Sequence, residues 1–258
     1  MNRFPLIFGH YFKRTICNPI NLLIYLLLPM GLVTLNMLGN IGMFELMGGD
    51  LAAAGDAVAA NATLLAAVFM VAFQFFSGEL LMENIYDNFK EGPVRWRLLA
   101  SPVPMRTFLA GAVVANWVFN LLQALLIFTV VGLLFDVRWG NPLMFASVIL
   151  TVSILSQLIG ALVSQVVPKR KAGTVTINVF CLGMMFLSGF LFIPLGDSAI
   201  ATFITSYGTP LALAYRAILY AGPVLDDMGQ ALFNLSILGG ITLVTAILVF
   251  IFGRRRTS

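Results

Sequence analysis

The sequence predicts an all-α integral membrane protein. The architecture expected is an N-terminal interfacial helix and six transmembrane helices, with both termini cytoplasmic and short re-entrant helices between spans five and six. Three observations predict it. First, 60% of the 258 residues are hydrophobic and only 10% are charged, whereas soluble domains carry about 25% charged residues; mean hydropathy is +0.96. Second, six stretches have the length of ~20 mainly apolar residues that a spanning helix needs: Ile20–Leu38, Thr63–Leu81, Phe108–Phe135, Leu143–Val167, Thr174–Ile193 and Gln230–Phe252. Third, the cations are sorted to one side of these stretches. Arg3, Lys13, Arg14, Lys90, Arg95, Arg97, Arg106, Lys169, Arg170, Lys171, Arg254, Arg255 and Arg256 fall on the N-terminal side, leaving only Arg138 and Arg216 of the 15 opposite. By the positive-inside rule that side is cytoplasmic. The net charge of +4 would suit nucleic acid, but cations at the edges of apolar segments trace membrane topology, so no nucleic-acid partner is expected.

The whole chain, 1–258, reads as one domain, and residues 1–18 form its interfacial element. On a helical wheel Arg3, His10, Lys13 and Arg14 share one arc, and Phe4, Ile7, Phe8, Tyr11, Phe12 and Ile16 fill most of the rest. A helix lying on the inner leaflet follows, and Pro5 fits its first turn. A basic start ahead of an apolar run also resembles a secretory signal, but the long run beginning at Ile20 lacks a small-residue cleavage site, so it is expected to be retained. Pro29 should kink span one. Cys17 and Cys181 are far apart and suggest neither a disulfide framework nor a metal site.

The second span continues into the longest polar interruption of the chain, residues 79–106. Glu79, Glu83, Asp87 and Glu91 recur every four residues and make one slowly drifting stripe on a helix. Gly92-Pro93 stops that helix. In the following VRWRLLASPVPMR, cations and aromatics alternate, and Trp96, Leu98, Leu99 and Val103 are too apolar for a solvated loop. A docking surface is expected there. Farther on, Asn116, Asn120 and Gln123 share a face of span three, and Ser153, Gln157, Gly160 and Ser164 a face of span four. Such side chains avoid lipid. They face either other helices or a translocation path or dimer interface, and Ser188, at the end of span five, belongs with them. The outer segment 196–227 is apolar but broken by Gly208-Thr209-Pro210 and Gly222-Pro223, implying two pieces too short to span.

These residues carry a family resemblance. The acidic helix after span two, the RLLASPVPMR element before span three, LSGFLFIP (Leu187–Pro194) closing span five and the cationic C-terminus together resemble the transmembrane permease subunit of type-2 ABC exporters, over essentially the whole chain. The resemblance implies that the segment between spans two and three couples to a separate ATPase subunit. It assigns the coupling helix to Glu79, Glu83, Asp87 and Glu91 and the adjoining contact surface to Arg95, Trp96, Arg97 and Arg106. It further implies ATP and Mg bound by that partner ATPase, a second permease chain, identical or paralogous, and a bacterial or archaeal cytoplasmic membrane.

The residues agree in what they lack. No GxxxxGK[ST] phosphate loop occurs, and no ionisable group is expected at a span centre to serve a proton relay. Neither catalytic nor metal-binding residues are expected, and no cofactor on this chain. A different class, an intramembrane enzyme, fails for want of a base beside Ser188; an ATP-independent channel or scaffold is the remaining alternative. The interior suits drugs, lipids, peptides or lipid-linked glycans alike.

Overall fold

The computed structural model describes residues 4–35, 55–92, 96–97, 100–101, 103–135, 139–189, 198–222 and 225–255. The expected ends of spans one and five, Arg3, Arg95, Leu98, Leu99, Arg138, Arg256 and the end of the LSGFLFIP element lie outside them. Among the described residues the regular structure is helical and no strand occurs. Four helices are long and apolar enough to cross a membrane, five if the bent N-terminal pair counts as one span. The expected count was six.

α1 (Phe4–Ile16) buries Ile7, Tyr11 and Thr15, a stripe spaced by four residues. It packs along the start of α5 (Met105–Phe135), where Gly111, Ala112 and Ala115 leave room: a Cβ on Gly111 would lie 2.6 Å from Ile7 Cγ2. Small residues are what let helices approach this closely. A turn at Cys17–Asn18 then bends the chain by 67° into α2 (Pro19–Leu35). Asn18 caps the new helix by accepting from the Ile20 amide at 3.1 Å.

The helix runs on through Pro29, and the irregularity lies just before it. Residues Leu23–Leu27 are wound as a π-helical turn, so the Leu28 amide donates to the Leu23 carbonyl. The widened turn ends two residues before the proline.

α3 (Gly55–Phe76) and α4 (Gly78–Ile85) continue through a second π turn, Tyr86–Lys90, as one run from Thr63 to Lys90. It ends where Gly92 was expected to stop it. α6 (Pro142–Val166) is the hub, packing on α3, α4, α5, on α7 (Arg170–Leu187), on α9 (Pro210–Tyr220) and on α10 (Met228–Arg255). Its start is set by Asn141, whose side chain accepts from the Leu143 and Met144 amides, with Pro142 in the first turn where its missing N–H costs nothing. α7 starts four residues earlier than the expected span, so Arg170 and Lys171 form its first turn.

α4 and α6 cross at two glycines. A Cβ on Gly160 would overlap the Gly78 carbonyl, lying 2.9 Å from its carbon, and one on Gly78 would overlap the Ser156 carbonyl in the same way. Backbone thus rests on backbone at this crossing.

The segment before the last long helix holds two short helices, α8 (Ala199–Tyr207) and α9, of 9 and 11 residues. At 1.5 Å per residue neither reaches the ~30 Å of a bilayer core. The break falls at Gly208-Thr209-Pro210, where the Thr209 hydroxyl caps α9 by accepting from the Ala212 amide at 3.1 Å. α9 is nonetheless interior, with Leu211, Leu213, Ala214, Ala217 and Ile218 all buried. Its far end meets the α5–α6 connection, where the Asn141 amide donates to the Ala221 carbonyl at 3.1 Å. Gly140 sits at that contact with φ +70, and a Cβ there would overlap the Ala221 carbonyl.

Candidate functional site

Two polar assemblies stand out from the apolar body. The first is built on the acidic stripe of α4. Arg170, in the first turn of α7, donates Nη1 to Asp87 Oδ1 at 2.5 Å and Nη2 to Glu83 Oε1 at 2.9 Å. Its backbone amide donates to Glu91 Oε1 at 2.9 Å. The hydrogen bond to Glu83, with Asp87 and Glu91 nearby, raises the Arg170 pKa above the ordinary arginine value despite some burial. From the other side Arg14 of α1 donates to Asp87 Oδ2 at 3.1 Å and to Asn88 Oδ1 at 3.2 Å. Asp87 therefore joins two cations from opposite ends of the sequence.

Below this clasp Glu79 accepts from Tyr25 Oη of α2 at 3.3 Å and from Asn178 of α7 at 3.2 Å. The Lys90 ammonium donates to the Ser164 and Val167 carbonyls at the end of α6, and Tyr86 Oη reaches the same Val167 carbonyl at 2.6 Å. One helix end is thus fastened to α1, α2, α6 and α7. All four predicted acidic residues come together in this assembly, with partners inside the chain.

Of the predicted contact surface, Trp96 is 71% exposed and Arg97 is exposed beside it in one short helical turn. Arg106 lies in the first turn of α5.

The second assembly is at the centre of the bundle. Gln74 of α3 is fully buried; its Nε2 donates to the Asn120 carbonyl of α5 at 2.6 Å and its Oε1 accepts from Ser153 Oγ of α6 at 2.5 Å. Ser77 and Ser156 meet at 3.3 Å beside it. Asn116 accepts from Thr15 of α1 and Asn84 of α4, both at 3.4 Å. Asn116, Asn120, Gln123 and Ser153 are each 0% exposed, Gln157 4% and Ser188 3%, so none presents a surface in this conformation. Ser188 donates back to the Met185 carbonyl at 2.9 Å as α7 ends. The Asn120, Gln123 and Gln157 side-chain amides have no hydrogen-bond partner among the described residues.

Sequence reasoning missed the partners rather than the stripe. Arg14 and Arg170 were counted for topology, and the opposite charge of the Lys169–Lys171 run was the signal available. Gln74 was also missed, although a Gln within an apolar span is the same signal that singled out Gln123 and Gln157. Among the described residues no group of His, Cys, Asp and Glu could hold a metal ion.

A family-level comparison matches residues 5–222 to the ABC-2 type transporter family. A comparison with curated proteins finds no match. The matched region runs from the first helix through the clasp, the central polar layer and both short helices, α8 and α9. The chain is a multi-pass membrane protein, the membrane permease component of an ABC transporter, and it belongs to the ABC-2 type transporter family.

Proposed function

We propose that this chain is the permease subunit of an ATP-driven exporter, pairing with a second permease chain, identical or paralogous, and with two ATPase subunits on its cytoplasmic side. The observation that carries this reading is the clasp. A partner pressing on residues 79–106 would not move a loose loop: Arg170 and Arg14 tie that segment to α7 and α1, and Lys90 ties it to α6. Motion at the ATPase contact would then be shared by several helices, as alternating access requires. Trp96 and Arg97, exposed at the far end of the same segment, supply an aromatic and a cation of the kind enriched at interfaces.

The full architecture belongs to the same reading. A count of six spans requires α2 and α7, Arg170–Leu187, to cross together with the four long helices. The return of α9 to the α5–α6 connection supports a re-entrant course for residues 196–227 from the outer side. Both termini then lie in the cytoplasm of a bacterial or archaeal cell, within its inner membrane. The substrate is an amphiphile, whether drug, lipid, peptide or lipid-linked glycan.

Topology is checked with the native thiols, since Cys17 is exposed and Cys181 buried. A membrane-impermeant maleimide is expected to label Cys17 in inside-out vesicles and not in intact cells, with Cys181 unlabelled in both until denatured. Labelling of Cys17 from outside would overturn the cytoplasmic placement of α1.

The energy source is tested by reconstitution. In liposomes the chain alone should neither hydrolyse ATP nor accumulate an amphiphile on an imposed proton gradient. Adding the cognate ATPase should bring hydrolysis and uphill accumulation together, and a hydrolysis-dead ATPase should bring neither. Accumulation by the permease alone on a proton gradient would replace the exporter by a secondary transporter; downhill flux unaffected by the ATPase would favour a channel.

A further inference from the structure

α5 and α10 both pack on α6 but make no extensive contact with one another. Between them, with the end of α4 as one wall, lies a cavity of about 680 Å³, within the range of pockets that hold whole small ligands. Its body is apolar, formed by residues such as Leu81, Val113, Val114, Leu158 and Val249. Its rim includes Ile154 and Leu109, 43% and 40% exposed, so it opens sideways toward the surrounding bilayer.

The polar groups in this cavity stand at two levels. Gln157 is 4% exposed, and neither atom of its amide has a partner among the described residues; Trp117 Nε1, also lining the cavity, is likewise buried and unpartnered. Eight residues farther along α6, about 12 Å at the helical rise, Gln165 contributes an unpartnered Oε1. The Lys90 ammonium lines the cavity near the same end, beside Ser164. Buried amide and indole groups without partners carry a large desolvation penalty, and an apolar cavity gives water few bonds to offer in return. A ligand with acceptors at the first level, for Trp117 Nε1 and Gln157 Nε2, and with an anion and a hydroxyl donor at the second, for the Lys90 ammonium and Gln165 Oε1, matches both.

The geometry points to a binding site for an anionic phospholipid of the cytoplasmic leaflet such as phosphatidylglycerol, with its phosphate toward Lys90, a head-group hydroxyl donating to Gln165 Oε1, its ester carbonyls accepting from Trp117 Nε1 and Gln157 Nε2, and its chains leaving between α5 and α10. Charge complementarity selects the head group. Apolar walls and the sideways opening suit the chains. The site lies inside one permease chain and does not depend on the exporter reading, because binding is measured with no ATPase or nucleotide present.

The test reads Trp117 directly. A Trp96→Phe, Trp139→Phe chain, in which Trp117 is the only tryptophan left of three, is placed in phosphatidylcholine nanodiscs containing increasing brominated phosphatidylglycerol or brominated phosphatidylcholine. Quenching should saturate at a low fraction of the anionic lipid and need roughly fivefold more of the zwitterionic one, the factor expected for a single cation near the head groups. Ala161→Phe, which fills the cavity, should abolish the saturable component while leaving the protein monodisperse. Lys90→Gln should remove the preference between lipids and keep the quenching. Equal quenching by both lipids at every fraction would reduce the site to ordinary annular contact and overturn the proposal. So would absence of quenching by either, which would mean that water or another protein segment fills the cavity.

Discussion

No folded chain is expected from Gly160→Leu. At the α4–α6 crossing the neighbour of Gly160 is the Gly78 backbone, not a flexible side chain, so added atoms can be accommodated only by moving one helix away from the other. That separation would also part Ser77 from Ser156 and disturb the Gln74–Ser153 bond one turn away. Overpacking costs roughly 1–3 kcal/mol where side chains can yield; here backbone opposes backbone, and the upper end of that range or beyond is expected. Even Gly160→Ala should lower the melting temperature of the purified chain in mild detergent. Gly239→Leu on α10, where a Cβ meets nothing within 4 Å, is the control and should melt with the parent. Gly160→Leu with parental melting and a monodisperse elution profile would show that the crossing is looser than described.

Arg170→Glu is expected to destabilise the chain by about 2 kcal/mol and to uncouple ATP hydrolysis from transport. Two hydrogen bonds to carboxylates would be worth about 1.5–3 kcal/mol each when buried. The Arg170 side chain is 41% exposed and its partners 28–33%, so solvent screening reduces that considerably; the reversed charge then adds repulsion from Glu83, Asp87 and Glu91. Arg14→Ala should cost less, because it removes one 3.1 Å ion pair on a side chain 43% exposed. Combining Arg170→Glu with Glu83→Arg restores one arm of the clasp and should recover part of the melting temperature and of the transport-to-hydrolysis ratio. If Arg170→Glu keeps both parental, the clasp neither holds the segment nor transmits through it.

The long apolar helices were legible because composition and length alone decide them: no soluble environment tolerates α6 or α10. The acidic stripe and its stop at Gly92 were equally legible, being local in sequence. Its occupancy was not. Arg170 meets Asp87 across 83 residues and Arg14 meets it across 73, and the positive-inside pattern that explains both cations gives no sign of such a meeting. α9 was expected as one of two short re-entrant pieces, but its enclosure was not legible for a related reason: which helices bury an 11-residue apolar stretch is decided by partners distant in sequence. The polar faces of spans three and four were found by their periodicity, but period alone cannot separate an amide facing a cavity, as Gln157 does, from one enclosed among helices, as Gln123 is. The π turn before Pro29 lay beyond reach too, since the residues of Leu23–Leu27 are ordinary helix formers.

The clasp also orders the making of the protein. Arg14 has left the ribosome long before Asp87, so that arm can close as soon as α4 has emerged and met α1. Arg170 follows Glu83 and Asp87 by 87 and 83 residues, roughly 4–17 s of synthesis at 5–20 residues per second. Through that interval the nascent chain carries carboxylates still waiting for their second cation. Arg170 can reach them only once α5 and α6, which lie between in sequence, have been made and placed. A chain in which only one of α5 and α6 had crossed the bilayer would leave Arg170 and the acidic helix end on opposite faces, with the carboxylates half-neutralised before any partner subunit arrives.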